Sequence, residues 1–300
     1  MKPIKYLLLL VFFISLNISA QNTFLWRIES PKSSKVSYLN GTNHTLTSTY
    51  TDNFPIIREK ISSADVVVFE TNLDQNEITK YYESKPINEE LKKILNEEQL
   101  QKLSEKYTYR AIKSSPTMVY MLLSGVFSLS EPDSTKIKSG KVMIETYLKD
   151  LAIQEQKPII GLESVTYQLE AVDRMKPSFL VYGLMKKSIP GLVDDMDNPD
   201  KKFTRKKEVE KNVEEYYEQE TKYYFNNKCR GQFYQNLLVD RNNNWVEKLP
   251  EILDTKNAFI SVGALHLKYK CGLVSQLMKA GYKLTPIDMK TGKDLQFETK

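Results

Sequence analysis

Two histidines supply all the imidazole in this 300-residue chain, His44 and His266. Each stands three places after a glycine, in Gly41-Thr42-Asn43-His44 and Gly263-Ala264-Leu265-His266. Each motif follows a strand-like run, Lys35-Val36-Ser37-Tyr38-Leu39 and Ala258-Phe259-Ile260-Ser261-Val262. A glycine closing a strand lets the backbone turn sharply, and in open α/β sheets ligands bind outside the carboxyl ends of the strands. Two carboxylates follow the same rule. Asp65-Val66-Val67-Val68-Phe69-Glu70 is apolar on both faces, as a buried parallel strand must be, and it ends in Glu70. Pro158-Ile159-Ile160-Gly161-Leu162-Glu163 is a shorter strand that stops at Glu163. Two imidazoles and one or two carboxylates at strand ends have the donor composition of a catalytic divalent-metal site with open positions. Such an ion brings the pKa of bound water toward ~7 and polarises a carbonyl, leaving the other carboxylate as general base. Arg241, if it reaches the same cleft, would stabilise an oxyanion or clamp a substrate carboxylate. The linear signature His-Glu-x-x-His is absent, since Thr45-Leu46-Thr47-Ser48 follows His44.

The elements that must position these groups read as α/β. Residues 23–28 and 35–41 alternate and form a hairpin, and residues 54–63 carry helical spacing at Ile56, Ile57 and Ile61. The middle of the chain is helical: 88–107 is amphipathic, 116–129 is apolar but shorter than the ~20 residues needed to cross a bilayer, and 140–156 and 166–192 follow. A helix opens at Asp240 and runs to Leu253. After the second histidine come a helix over 273–280, closed by Gly281, and a strand over 282–287. The expectation is a central mixed β-sheet built from both chain ends, flanked by helices, with a helical middle region. Because both termini contribute strands, the sheet belongs to a single domain.

Composition excludes several classes of protein. Lys2 and Lys5, the apolar run from Tyr6 to Leu16 and the pair Ser19-Ala20 make residues 1–20 a secretory signal peptide cleaved before Gln21. This places the mature chain, 21–300, in the periplasm or outside the cell, with no transmembrane anchor. Without Lys2 and Lys5, 41 basic residues face 38 acidic ones, too even a balance for nucleic acid. The stretch 201–225 mixes Lys with Glu208, Glu210, Glu214 and Glu215 and reads as a solvated helix face. Asp194-Asp195-Met196-Asp197-Asn198-Pro199-Asp200 lacks the central glycine and twelfth-position glutamate of a calcium loop and reads as a solvated linker. Cys229 and Cys271, an even count in an exported chain, are expected to pair.

These residues carry a resemblance. Leu25-Trp26-Arg27-Ile28, Gly41-Thr42-Asn43-His44, Val66-Val67-Val68-Phe69-Glu70, Gly161-Leu162-Glu163-Ser164, Arg241-Asn242 and residues 258–267, with Gly272-Leu273 and Gly281-Tyr282 after them, resemble the TraB/PrgY/GumN family in its own order. That family includes the Tiki proteins, described as metal-dependent proteases in a fold related to erythromycin esterases and ChaN-like haem-binding proteins. The resemblance implies a core site of His44, Glu70 and His266 around a divalent ion (Mn, Co or Zn), with Arg241 and Glu163 in support. Two places depart from the pattern. Met143-Ile144-Glu145-Thr146 stands where an aspartate is expected, and Leu267-Lys268-Tyr269 where relatives often continue Leu-Pro-Gly. The leading expectation is therefore an exported metal-dependent hydrolase acting on a peptide or small molecule. Its rivals are a metal-independent, esterase-like hydrolase with a histidine base and a non-catalytic haem- or ligand-binding module.

Overall fold

The computed structural model describes residues 23–44, 46–72, 74–123, 143–175, 179–198, 214–219, 221–231 and 235–297. The expected signal peptide, most of the charge-mixed stretch and the end of the apolar run after Leu123 lie outside them. Six strands form one mixed sheet: β1 Leu25–Glu29, β2 Val36–Thr42, β3 Val66–Thr71, β4 Ile159–Glu163, β5 Ala258–Gly263 and β6 Lys283–Ile287, in the order β4-β3-β5-β2-β1-β6. The four strands on the β4 side run parallel, while β1 is antiparallel to both β2 and β6. Strands from the two ends of the chain therefore interleave, as expected.

Alternation along the strands sorts side chains between two cores. Val67 and Phe69 of β3 join Phe24, Leu25 and Phe259 on one face, under Ile57 and Ile61 of helix α1 (Ile56–Ser63) and Leu148 of α2 (Ile144–Gln154). Val66 and Val68 join Trp26, Leu39, Ile260 and Val262 on the other. Trp245, Leu249 and Leu253 of α3 (Asp240–Leu253) and Leu273, Val274 and Leu277 of α4 (Leu273–Lys279) cover that face. Neither face of β3 meets water, which is why its sequence is an unbroken apolar run. The helical middle packs a third cluster around Leu91, Leu103, Val119 and Ile189. Among the described residues no helix is long and apolar enough to cross a membrane.

The charge-mixed stretch is not a solvated helix where it is described. Only a short helical turn remains before residues 221–224 run without regular structure, and two of its tyrosines are core residues. Tyr216 stacks on Phe24 with ring centroids 3.8 Å apart and donates to the Thr42 carbonyl at 2.8 Å. The Tyr223 hydroxyl donates to the Thr23 carbonyl at 2.6 Å and accepts from Trp26 Nε1 at 2.7 Å. Charge density along the sequence reported the neighbours' solvation and hid the aromatic rings between them. Cys229 and Cys271 form the expected disulfide, with Cα atoms 6.2 Å apart.

Tyr223→Phe removes that hydroxyl and leaves the Trp26 N–H and the Thr23 carbonyl buried without partners. It should lower stability by about 1–3 kcal/mol, read as a shift in denaturation midpoint with unchanged slope.

Candidate active site at the carboxyl ends of the parallel strands

Strand register brings the two histidine motifs together. In the β2–β5 pair Gly41 faces Val262 and Thr42 faces Gly263, so both chains leave the sheet side by side. The glycines permit the approach: a Cβ on Gly41 would lie 3.1 Å from the Ala264 Cα, and one on Gly263 would lie 3.3 Å from a Glu70 carboxylate oxygen. Next to β5, β3 delivers Glu70; next to β3, β4 delivers Glu163. Four adjacent strand ends thus supply His44, His266, Glu70 and Glu163.

At the centre stands Arg241, in the first turn of α3 just after a wide π turn over Gln235–Val239. It is 4% exposed. Nε donates to Glu163 Oε1 at 2.8 Å, and Nη2 lies 2.6 Å from Glu70 Oε2 and 2.5 Å from Glu163 Oε1. Nη1 reaches the Leu237 carbonyl at 3.3 Å and His266 Nε2 at 3.2 Å. Four of these contacts are hydrogen bonds, and they engage all three guanidinium nitrogens. Arg241 neutralises and fixes the two glutamates. The other Glu163 oxygen accepts from Trp245 Nε1 at 3.0 Å.

Glu70 is less enclosed, with a side chain 19% exposed. Oε1 accepts from the Gly263 amide at 2.8 Å and lies 3.8 Å from His266 Nε2, while Oε2 also accepts from Gln168 Nε2 at 2.8 Å. Burial alone would raise its pKa, but Arg241, His266 and the Gly263 N–H outweigh that and hold it down to about 2. Burial and the nearby Glu70 charge push Glu163 the other way, above its usual range, against the pull of Arg241 and Trp245.

The two imidazoles differ. Burial, with Arg241 beside it, takes His266 down to about 3, so its ring is neutral at physiological pH. It packs 4.4 Å from the Trp245 ring. His44 is 44% exposed, and Glu145 at the start of α2 raises it to about 9, with Oε1 3.2 Å from His44 Nδ1. Glu70, Arg241 and His44 influence one another's charges and that of His266, so the four share one electrostatic site. Glu145 is the residue that sequence reasoning left out of the site, although the signal was present as a carboxylate one place from an expected aspartate.

As potential metal donors, His266 offers an unprotonated nitrogen, Glu70 a fixed carboxylate and His44 an accessible ring. Both Glu145 oxygens are buried, and apart from the ion-pair contact of Oε1 with His44 Nδ1 they accept no hydrogen bond. A buried carboxylate whose polar neighbour is the His44 imidazole fits a divalent cation in kind. Among the described residues, no three His, Cys, Asp or Glu side chains are grouped tightly enough to enclose an ion as they stand.

Two predictions follow from this geometry. Arg241→Met leaves two buried carboxylates facing each other without a countercharge and should destabilise the fold by about 3–5 kcal/mol, measured by denaturant titration. The pH dependence has two limbs. The neutral His266 gives stability that is lost as pH falls from 6.5 toward 3, and Glu70 adds a loss from 4.5 toward 2. The His44–Glu145 pair gives stability present below 6.5 and lost as pH rises toward 9. Stability in chelator should therefore peak near pH 6.5, and His44→Gln should flatten only the alkaline limb.

No curated protein matches the chain. The model of the TraB/PrgY/gumN family matches residues 24–286, from the first strand through nearly all of the last. That span takes in every strand and every residue of the site, and the chain belongs to the TraB/PrgY/gumN family.

Proposed function

We propose that the chain is an exported metal-dependent hydrolase that cleaves a carbonyl substrate, a peptide in the first instance. The observation that carries this reading is Glu145: a buried carboxylate whose oxygens meet no polar partner except His44, beside a site that already holds two further carboxylates on one guanidinium. A divalent cation is the partner that such a surplus of negative charge attracts. His44, Glu145, His266 and Glu70 are the side chains that would hold it. When bound, the ion supplies Lewis acidity and a water acidic enough to ionise near neutral pH.

The protein's own residues do the rest. His266 arrives neutral and has no proton to give up, which is the ligand form of imidazole. Arg241 cancels part of the charge of Glu70 and Glu163, so the carboxylates tolerate one another at the strand ends. Glu70 remains ionised and partly exposed, and it can accept a hydrogen bond from a water or a substrate N–H at the mouth.

A specific observation favours a second, metal-free reading. The His44–Glu145 pair has the arrangement of a histidine base and its orienting carboxylate, and Arg241 already donates to His266 Nε2. The two readings part on one experiment. Protein purified without chelator should contain Mn, Co or Zn by elemental analysis, and His44→Ala and Glu145→Ala should each lose the metal. Hydrolysis of a quenched-peptide library should stop after dialysis against chelator and return with the ion. Metal-free protein whose hydrolysis ignores chelator but fails in His44→Ala would replace the first reading with the second.

A further inference from the structure

The residue after Arg241 is 0% exposed and as fully committed as its neighbour, but to the second histidine motif. Asn242 Nδ2 donates to the His266 carbonyl at 3.2 Å and to the Cys271 carbonyl at 2.8 Å, while Asn242 Oδ1 lies 2.6 Å from His266 Nδ1. Carbonyl oxygens can only accept, so the amide nitrogen must face them and the amide oxygen must face the ring. An oxygen without a proton makes Nδ1 the donor. On the opposite side of the ring Arg241 Nη1, which can only donate, points at Nε2. Two independent neighbours therefore impose the same tautomer, with the proton on Nδ1 and a bare lone pair on Nε2.

The carbonyl that orients Asn242 belongs to one half of the disulfide. Cys271 is tied to Cys229, and the segment carrying Cys229 is strapped to the chain after His266 by backbone bonds. These run from Tyr269 N to the Tyr223 carbonyl at 2.6 Å and from Lys270 N to the Asn227 carbonyl at 3.0 Å. The rings of Tyr224 and Tyr269 stack 5.9 Å apart across the same seam, and both residues sit in the left-handed region at φ 54° and 69°. Four successive ties along one short seam hold the Cys271 carbonyl in place, and through it the amide.

We propose that Asn242 is a positioning residue that fixes His266 as its Nδ1-protonated tautomer, and that the Cys229–Cys271 disulfide holds Asn242 in the orientation this requires. The proposal deepens the reading of His266 as a site ligand and rests on it for its functional meaning. Its structural content stands on contacts that need no metal. A ring locked this way aims Nε2 at Glu70 and Arg241 before any ion or substrate arrives, whereas a free ring would spend part of its time with that nitrogen protonated.

The chain suits the test, because its only imidazoles are two. Protein labelled with 15N-histidine, kept in chelator at neutral pH, should show His266 with a protonated Nδ1 and a bare Nε2, with His44→Gln used to assign the signals. A wild-type His266 protonated on Nε2 overturns the proposal at once. Asn242→Ala leaves the longer Arg241 contact as the ring's one remaining director and should let the Nε2-protonated form appear beside the Nδ1 form, with about 10–100-fold weaker metal binding. Asn242→Asp keeps the acceptor but loses both amide donors, and should retain the Nδ1 proton. Folded Ala and Asp variants that shift the tautomer alike would reduce Asn242 to a packing residue. If neither variant folds, the Cys229→Ser/Cys271→Ser protein, in which every side chain of the site is intact, should show exchange between tautomers at His266. A sharp, unchanged signal there overturns the disulfide's part. These spectra read the imidazole alone, so absence of metal would defeat the hydrolase reading and leave this one standing.

Discussion

A guanidinium buried between two carboxylates dictates much of this structure. Removing three charges from water is unfavourable unless the hydrogen bonds among them are nearly complete, and here Arg241 donates to Glu70, Glu163, the Leu237 carbonyl and His266, while Trp245 and Gly263 supply the remaining donors. The six partners come from six segments: β3, β4, the π turn, β5, the turn after β5 and α3 itself. That spread converts one ion cluster into a constraint on the relative placement of the whole carboxyl end of the sheet. The Trp245 ring, 4.8 Å from the guanidinium carbon and 4.4 Å from the His266 ring, closes the cluster from below and joins it to the apolar core under α3.

The second constraint is topological. The two histidine motifs begin on adjacent parallel strands contributed by opposite ends of the chain, so the imidazoles meet only through the β2–β5 pairing. Pairings so distant in sequence close large loops and form slowly. The glycines at 41 and 263 are where that late pairing is tightest. One motif's backbone touches the other's, and the Gly263 amide is handed to Glu70 in the same step. Folding of the sheet and assembly of the site are therefore one event.

Much of this was legible before any coordinates. Strands that end in glutamate or run into Gly-x-x-His are local patterns, and a buried parallel strand announces itself by having no polar face, so β3, β4 and β5 and the direction of their final residues could be read directly. What stayed hidden depends on burial. Nothing near Arg241 in sequence says that it is 4% exposed; its neighbours Asn243 and Asn244 suggest a wet surface instead. Tyr216 and Tyr223 were masked in the same way by the charges beside them. Glu145 lies on a helix rather than a strand end, so the rule that found the other carboxylates could not find it, and only its place near an expected aspartate marked it.

The electrostatics tie these pieces to function through a single balance. Glu70 and Glu163 are served by one arginine, and Glu145 is left to whatever cation comes next. In the protein alone that cation is His44, whose proton is held by Glu145. On the proposed reading a divalent ion would answer the same need, and because only the neutral imidazole ligates, charging of His44 and binding of the ion would compete. The His266 ring takes no part in the exchange, because burial has already made it neutral and the neighbouring amide and guanidinium have settled where its proton resides. The site thus has one histidine fixed in advance and one that changes state, and the change is confined to the imidazole that solvent can reach.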